Sequence, residues 1–125
     1  MQNTLVKPEF IKISDIRPGV HCYHIYAKIV SAGRSQTTQK SGKKVQVVEG
    51  VLADDSGCAN FRFCGAHAMN LTVGSTVAVR NGRSNLVDGH LLLELDQFGR
   101  VNKVPSSPLK QVNVDHNISN VFWEA

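Results

Sequence analysis

Residues 45–63, VQVVEGVLADDSGCANFRF, decide the fold class. Residues 45–54 are rich in β-branched side chains, and residues 58–63 alternate, with apolar side chains at 59, 61 and 63 and polar ones at 60 and 62. Because the side chains of a strand point alternately to its two faces, both segments are predicted strands. The intervening DSG at residues 55–57 is typical of a tight turn, so the two strands form a hairpin.

Similar patterns predict three further strands, at residues 24–30, 77–86 and 90–95. Asp88-Gly89, between the last two, is a strong hairpin signal. The polar stretch at residues 31–44, SAGRSQTTQKSGKK, predicts a long loop. Residues 64–73 leave room for one short helix or coil.

Five strands with these connections have the order of an OB-fold: an all-β, five-stranded Greek-key barrel with a short helix or coil between strands 3 and 4. Another small all-β barrel or sandwich is the alternative that the pattern leaves open. The side chains predicted to fill the core are Ile25, Ile29, Leu52, Phe61, Phe63, Val77, Val79, Leu91 and Leu93.

The length and composition predict one folded domain followed by a tail. The chain has 125 residues, of which 42% are hydrophobic and 19% charged. We expect a barrel domain at residues 1–104 and a linker with an apolar docking tail at residues 105–125, because two prolines precede a group of large apolar side chains. That tail is expected to dock on its own barrel or on a second chain, as an added edge strand. Its apolar anchors are Ile118, Val121, Phe122 and Trp123.

The cysteines and the N-terminal sequence predict a cytoplasmic or nuclear protein. Cys22, Cys58 and Cys64 are odd in number and form no CxxC pair, which is typical of free thiols in a reducing compartment. The N-terminal residues lack the apolar stretch of a secretory signal, and no apolar run is long enough to span a bilayer. No membrane partner is expected.

Charge gives the first indication of a partner. Fourteen Lys and Arg against ten Asp and Glu leave a net charge of +4, and the pI is near 9.2. Such a basic domain is compatible with a nucleic-acid partner.

Four segments together resemble a known family: IRPG at residues 16–19, LADDSG at 52–57, VGSTV at 73–77 and DQFGRV at 96–101. Their order and spacing resemble the small OB-fold proteins related to the OB-fold component of the SOSS single-stranded-DNA sensor complex and to replication protein A. The resemblance covers about residues 10–104. It implies an OB barrel that binds single-stranded DNA or RNA without catalysis, in a groove with low sequence specificity.

The resemblance also implies stacking aromatics at positions that match Cys64, Arg83, Val87 and Glu94. None of these is aromatic here, and base–aromatic stacking is worth about 1–3 kcal/mol per base. Basic side chains on the predicted loop and on outward strand positions, with one outward tyrosine, are the candidates to replace them, since arginine both stacks on bases and pairs with phosphate. The predicted nucleic-acid-binding residues are Tyr26, Lys28, Arg34, Lys40, Lys43, Lys44, Arg62, Arg80 and Arg83.

Other functions have weaker support. The missing aromatics and the apolar tail favour an alternative, an OB scaffold for protein–protein assembly in a larger complex or a homodimer formed through the tail. The groups His21-Cys22-x-His24 and Cys58-x5-Cys64-x2-His67 do not have the spacing of a zinc site. No nucleophile–base set or phosphate loop is present either, so we expect no enzyme activity, metal or cofactor.

Overall fold

The computed structural model describes residues 9–19, 21–69, 71–105, 109 and 111–122. This part of the chain contains six strands and three short 3-10 turns. The strands are β1 (His21–Thr38), β2 (Lys44–Ala53), β3 (Cys58–Cys64), β4 (Thr76–Val87), β5 (His90–Glu94) and β6 (Arg100–Lys103). The 3-10 turns are η1 (Ile13–Asp15), η2 (Gly65–Ala68) and η3 (Ile118–Asn120).

Five of these strands close into the predicted OB barrel. The sheet runs β1-β2-β3-β5-β4, and β4 pairs back to β1. The β3–β5 pairing is parallel and comprises only two residue pairs, whereas the other neighbours in the barrel are antiparallel. The connection from β3 to β4 contains η2 and no longer helix, so the fold class predicted from the sequence is confirmed.

Alternation along the strands builds the core. All nine predicted core side chains are buried. Ile13 and Ile16, on and after η1, and Tyr23 on β1 join the same cluster. No helix in the described part of the chain is long and apolar enough to cross a membrane.

The loop predicted for residues 31–44 is wrong. β1 continues to Thr38 and pairs with β2 as far as Lys44, which leaves only residues 39–43 as a turn. Polar side chains do not prevent a strand when a neighbouring strand satisfies the backbone hydrogen bonds. The structure also adds β6, which pairs with the first half of β4 and which the pattern did not predict.

The C-terminal segment lies on the edge of β3 that β5 leaves unpaired. The Cys58 amide donates to the His116 carbonyl oxygen at 2.9 Å, and the Asn60 amide donates to the Ser119 hydroxyl at 2.8 Å. Ile118 is only 5% exposed.

Two expectations about this segment need correction. Within its described residues it makes one isolated bridge to β3, between Asn117 and Cys58, and forms no edge strand. Val121 and Phe122 are 47% and 64% exposed, so they are not the buried anchors that the sequence predicted. The predicted anchor Trp123 lies outside the described residues. The boundary at residue 104 stays a prediction.

Candidate nucleic-acid interface

The structure distributes the nine predicted binding residues over three regions of the barrel. Which strands carry them decides whether they can contact one ligand. Tyr26, Lys28 and Arg80 belong to the β1–β4 side, Arg34, Lys40, Lys43 and Lys44 to the β1–β2 hairpin, and Arg62 and Arg83 to β3 and β4 where these flank β5.

The β1–β4 side carries an aromatic stack. The Phe10 ring stacks on Tyr26 with a centroid distance of 4.2 Å and an interplanar angle of 11°. The Arg80 guanidinium lies 5.5 Å from the Phe10 ring centroid, within cation–π range. The sequence placed Tyr26 on the open surface, but Phe10 covers one face of its ring.

Arg34 has a structural contact of its own. Its guanidinium donates to the carbonyl oxygens of Ala68 and Leu71, at 2.9 and 2.8 Å. These bonds hold the η2 connection against β1. Because two of its donors are occupied, Arg34 offers less to a phosphate than an unpaired lysine does.

The β1–β2 hairpin extends beyond the barrel. β2 pairs with β1 as far as Lys44, whereas its pairing with β3 begins at Val47. The turn is closed by hydrogen bonds between residues 39, 42 and 43, with Gly42 at a positive φ of 85°. Lys40, Lys43 and Lys44 are exposed and make no ion pair with any described residue.

No carboxylate occurs between residues 31 and 48. We call Lys40, Lys43 and Lys44 the hairpin lysines. Three cations within five residues, in a stretch that contains no carboxylate, form a surface suited to phosphate.

A charged row crosses the neighbouring strands. Glu49 pairs with Arg62, Arg62 pairs with Glu94, and Glu94 pairs with Arg83. Arg62 Nε and Glu49 Oε1 are 3.9 Å apart, too far for a hydrogen bond. The Nε atoms of Arg62 and Arg83 are buried and have no hydrogen-bond partner in the described residues. The two carboxylates, Glu49 at the β2 end and Glu94 between the arginines, reduce the positive potential along this row.

The positions where the resemblance implies aromatics lie on or beside this row. Arg83 and Glu94 belong to it, Cys64 ends β3 and is half-buried, and Val87 is exposed before the β4–β5 turn. Sequence reasoning missed a different aromatic, Phe98, which is exposed beside Arg83. The signal was available, because Phe98 stands in the DQFGRV segment that carries the resemblance.

The cysteine and histidine groups do not converge. Among the described residues no cluster of three or more His, Cys, Asp or Glu side chains could hold a metal. Cys58 and Cys64 lie at opposite ends of β3, and His67 Nε2 contacts the Asp96 carbonyl oxygen at 3.0 Å. Burial raises the pKa of the Cys58 thiol, which keeps it protonated.

Comparisons with known proteins show which protein family this chain is similar to. A family model described as single-stranded DNA-binding protein Ssb-like, OB fold, matches residues 16–103. An uncharacterized Arabidopsis thaliana protein is 24% identical over 128 residues, which covers 94% of this chain and 83% of that protein.

Two solved structures show the same fold. The solution structure of a hypothetical Arabidopsis thaliana protein has a TM-score of 0.79 at 24% identity, covering 100% of this chain and 92% of that one. The second OB-fold domain of replication protein A from Methanococcus maripaludis has a TM-score of 0.65 at 23% identity, covering 79% of this chain and 98% of that one.

Proposed function

Because the chain belongs to the Ssb-like family of OB-fold single-stranded DNA-binding proteins, we propose that it binds single-stranded DNA or RNA, without catalysis and with low sequence preference. The proposed path runs from the hairpin lysines across the outward faces of β2 and β3. Arg62 lies on this path, whereas Tyr26, Lys28 and Arg80 lie on the β1–β4 side and are left out.

The observation that carries the proposal is the unpaired charge of the hairpin lysines. They stand on a hairpin that extends past the end of β3, in a stretch of 18 residues, 31–48, that contains no acidic side chain. A single strand presents a regular series of phosphates, and binding it releases condensed counterions. Lysine contacts to phosphate carry no sequence information, which supports low sequence preference.

The charged row supports the same path. Glu49, at the β2 end of the row, and Glu94, between the two arginines, repel phosphate, so the sugar–phosphate backbone is expected on the hairpin side. Bases would then face the barrel.

The test is a titration of labelled oligo-dT and oligo-U between about 50 and 200 mM salt, a range over which several phosphate contacts lower affinity by orders of magnitude. We expect log affinity to fall linearly with log salt, with a slope of about −0.7 per phosphate contact. The variant Lys43→Gln/Lys44→Gln should bind more weakly and flatten the slope by about 1.4. The matched control Lys28→Gln/Lys103→Gln removes the same charge from exposed residues on β1 and β6 and should bind like wild type.

Absence of binding at low salt overturns the proposal. Equal weakening by the two double variants would show a general charge effect without a path over the hairpin.

A second candidate function is protein–protein assembly, and an exposed apolar group favours it. Phe122 lies over Gly89 with its ring centroid 6.0 Å from that of His90, and Val87 and Val121 are exposed nearby in sequence. If this group joins two chains, light scattering should give a dimer mass that Phe122→Ser reduces to a monomer. A monomer mass for the wild-type protein would contradict homodimer formation.

A reducing compartment, the cytoplasm or the nucleus, is part of the proposal. Its support is that Cys22, Cys58 and Cys64 are all free thiols. Imaging of a tagged chain tests it, and secretion of that chain would contradict it.

A further inference from the structure

A small pocket lies at the Arg83 end of the charged row. Its volume is about 220 Å³, below the roughly 300–1,000 Å³ of pockets for drug-sized ligands. A pocket of that size suits one planar ring system. It is lined by Cys22, Asn81, Gly82, Arg83, Asp96 and Phe98.

The backbone around the pocket is irregular where β1 meets β4. Cys22 and Asn81 have positive φ angles of 64° and 54°, a backbone conformation that residues other than glycine rarely adopt. The β1–β4 register shifts on both sides of Tyr23. Such bulges and strained residues concentrate beside functional sites, where they redirect side chains.

Phe98 has an exposed side chain on a backbone that hydrogen bonds hold in position. Its side chain is 69% exposed, while its amide donates to Asp96 Oδ1 at 2.9 Å and its carbonyl oxygen accepts from Asn81 Nδ2 at 3.4 Å. The Gly99 amide also donates to the Asp96 carbonyl oxygen, at 3.1 Å. Because the backbone is held and a phenylalanine has only two side-chain torsions to order, this ring offers a stacking surface at a modest entropic cost.

A hydrogen-bond donor, the Arg83 guanidinium, and a hydrogen-bond acceptor, the Asp96 carboxylate, line the pocket together with that ring. Arg83 Nε is a donor without a partner in the described residues, and Arg83 Nη1 is 3.8 Å from Asp96 Oδ2, beyond hydrogen-bond range. The Arg83 and Asp96 side chains are 40% and 39% exposed, so the Nη atoms, rather than the buried Nε, and the carboxylate are the donor and the acceptor that a ligand in the pocket can reach. The edge of a nucleobase presents acceptors and donors in the same way.

We propose that this pocket binds one unstacked nucleobase of the single strand, with the ring on Phe98 and the base edge at Arg83 and Asp96. The inference rests on the proposed function and supplies the aromatic contact that positions 64, 83, 87 and 94 lack. The pocket is continuous with the binding face, because Arg83 pairs with Glu94, which in turn pairs with Arg62.

The first experiment compares variants of the ring. Phe98→Ala should lower oligonucleotide affinity about 5- to 140-fold, the equivalent of about 1–3 kcal/mol of stacking at 1.4 kcal/mol per tenfold. The salt slope should not change, because stacking releases few ions. Phe98→Trp should bind at least as well as wild type, and Val73→Ala, which trims another exposed apolar side chain, should bind equally.

The second experiment uses the wild-type chain. An oligonucleotide that contains 5-iodouracil should crosslink on irradiation to the peptide that carries Phe98, as mapped by mass spectrometry. Bound oligonucleotide should also slow alkylation of the exposed Cys22 thiol, which lines the pocket.

The outcomes separate the two proposals. No binding of oligonucleotides by wild type overturns the proposed function. Salt-dependent binding that needs Lys43 and Lys44, but survives Phe98→Ala and crosslinks elsewhere, overturns only the base pocket. Loss of affinity in Phe98→Ala, with crosslinking at Phe98, supports both.

Discussion

The backbone amide of Asn60 on β3 donates a hydrogen bond to the hydroxyl of Ser119, 59 positions later in the chain. The Asn117 side chain reinforces this contact: Nδ2 donates to Asn60 Oδ1 at 3.2 Å, and Oδ1 accepts from the Ser119 amide at 2.8 Å. β5 pairs with β3 only at Phe61 and Arg62, so the C-terminal segment provides the partners that β5 leaves out.

Replacing Asn117 tests that role. Asn117→Ala removes the N-terminal cap of η3 and the bond to Asn60, so the free energy of unfolding should fall by about 1–2 kcal/mol. Urea denaturation measures the change. The exposed neighbour Asn120 is the control, and Asn120→Ala should unfold within about 0.5 kcal/mol of wild type. A midpoint for Asn117→Ala equal to that of Asn120→Ala would mean that the Asn117 side chain adds nothing to the stability of the barrel.

Asp54 joins the β2–β3 turn to the N-terminal segment. It is 1% exposed, and its carboxylate accepts from the Ile13 amide at 2.8 Å and from the Ser56 amide and hydroxyl at 2.8 and 2.6 Å. Asp54→Ala leaves the Ile13 amide without its acceptor and should cost about 3 kcal/mol of stability. Thermal and urea denaturation should both report the loss. Asp55→Ala, at the exposed next position, should change little, and a similar loss in both would contradict a specific role for Asp54.

The barrel was predictable because its core follows from local patterns. Phe61 and Phe63 alternate on β3, as do Leu91 and Leu93 on β5, and all four are buried. Turn composition then set the order of the strands. Local alternation plus turn chemistry was enough for the fold.

The length of the β1–β2 hairpin, the partners of Arg34 and the pocket at Phe98 were not predictable. They depend on contacts between distant segments, which local sequence patterns do not record. Residues 31–38 form a strand because residues 44–51 pair with them, not because of their own side chains. Arg34 looks like a free cation in the sequence, yet carbonyl oxygens at residues 68 and 71 bind it. The pocket at Phe98 exists only where β1 and β4 lose register.

The Tyr23 hydroxyl is buried without a hydrogen-bond partner in the described residues, and burial raises the pKa of this phenol. Tyr23→Phe removes an unsatisfied polar atom while it keeps the ring over Gly82. We expect stability equal to wild type or greater by up to about 1 kcal/mol. Tyr23→Ala should instead cost about 3–5 kcal/mol, because the core then contains a cavity. A clear loss in Tyr23→Phe would show that the hydroxyl has a partner in the folded protein.

Gly50 allows β1 to bend across β2. A β-carbon at this position would collide with the Ser31 carbonyl oxygen, beside the register shift in β1. Gly50→Ala should therefore destabilise the barrel by several kcal/mol or reduce soluble expression, since the obstacle is backbone. At Gly33 an added β-carbon meets only the Glu49 carbonyl oxygen at 3.8 Å, an ordinary contact. Gly33→Ala should fold normally, and a tolerated Gly50→Ala would contradict the close approach of the strands.

The Lys12–Asp55 ion pair predicts a defined pH dependence. Lys12 Nζ donates to Asp55 Oδ1 at 2.8 Å, and this hydrogen bond holds the pKa of Asp55 below its ordinary value of 3.8. A carboxyl with a lowered folded-state pKa contributes stability at pH values above its unfolded pKa and loses that contribution as the pH falls through the folded pKa. Lys12→Met should therefore move the Asp55 pKa up towards its ordinary value, as measured by an NMR titration of the carboxyl carbon. The stability difference between wild type and Lys12→Met should be present at neutral pH and disappear in strong acid.

Lys28→Met removes an exposed lysine elsewhere on the barrel and should leave the Asp55 titration unchanged. An Asp55 pKa that is the same in wild type and Lys12→Met would show that the pair does not form in solution.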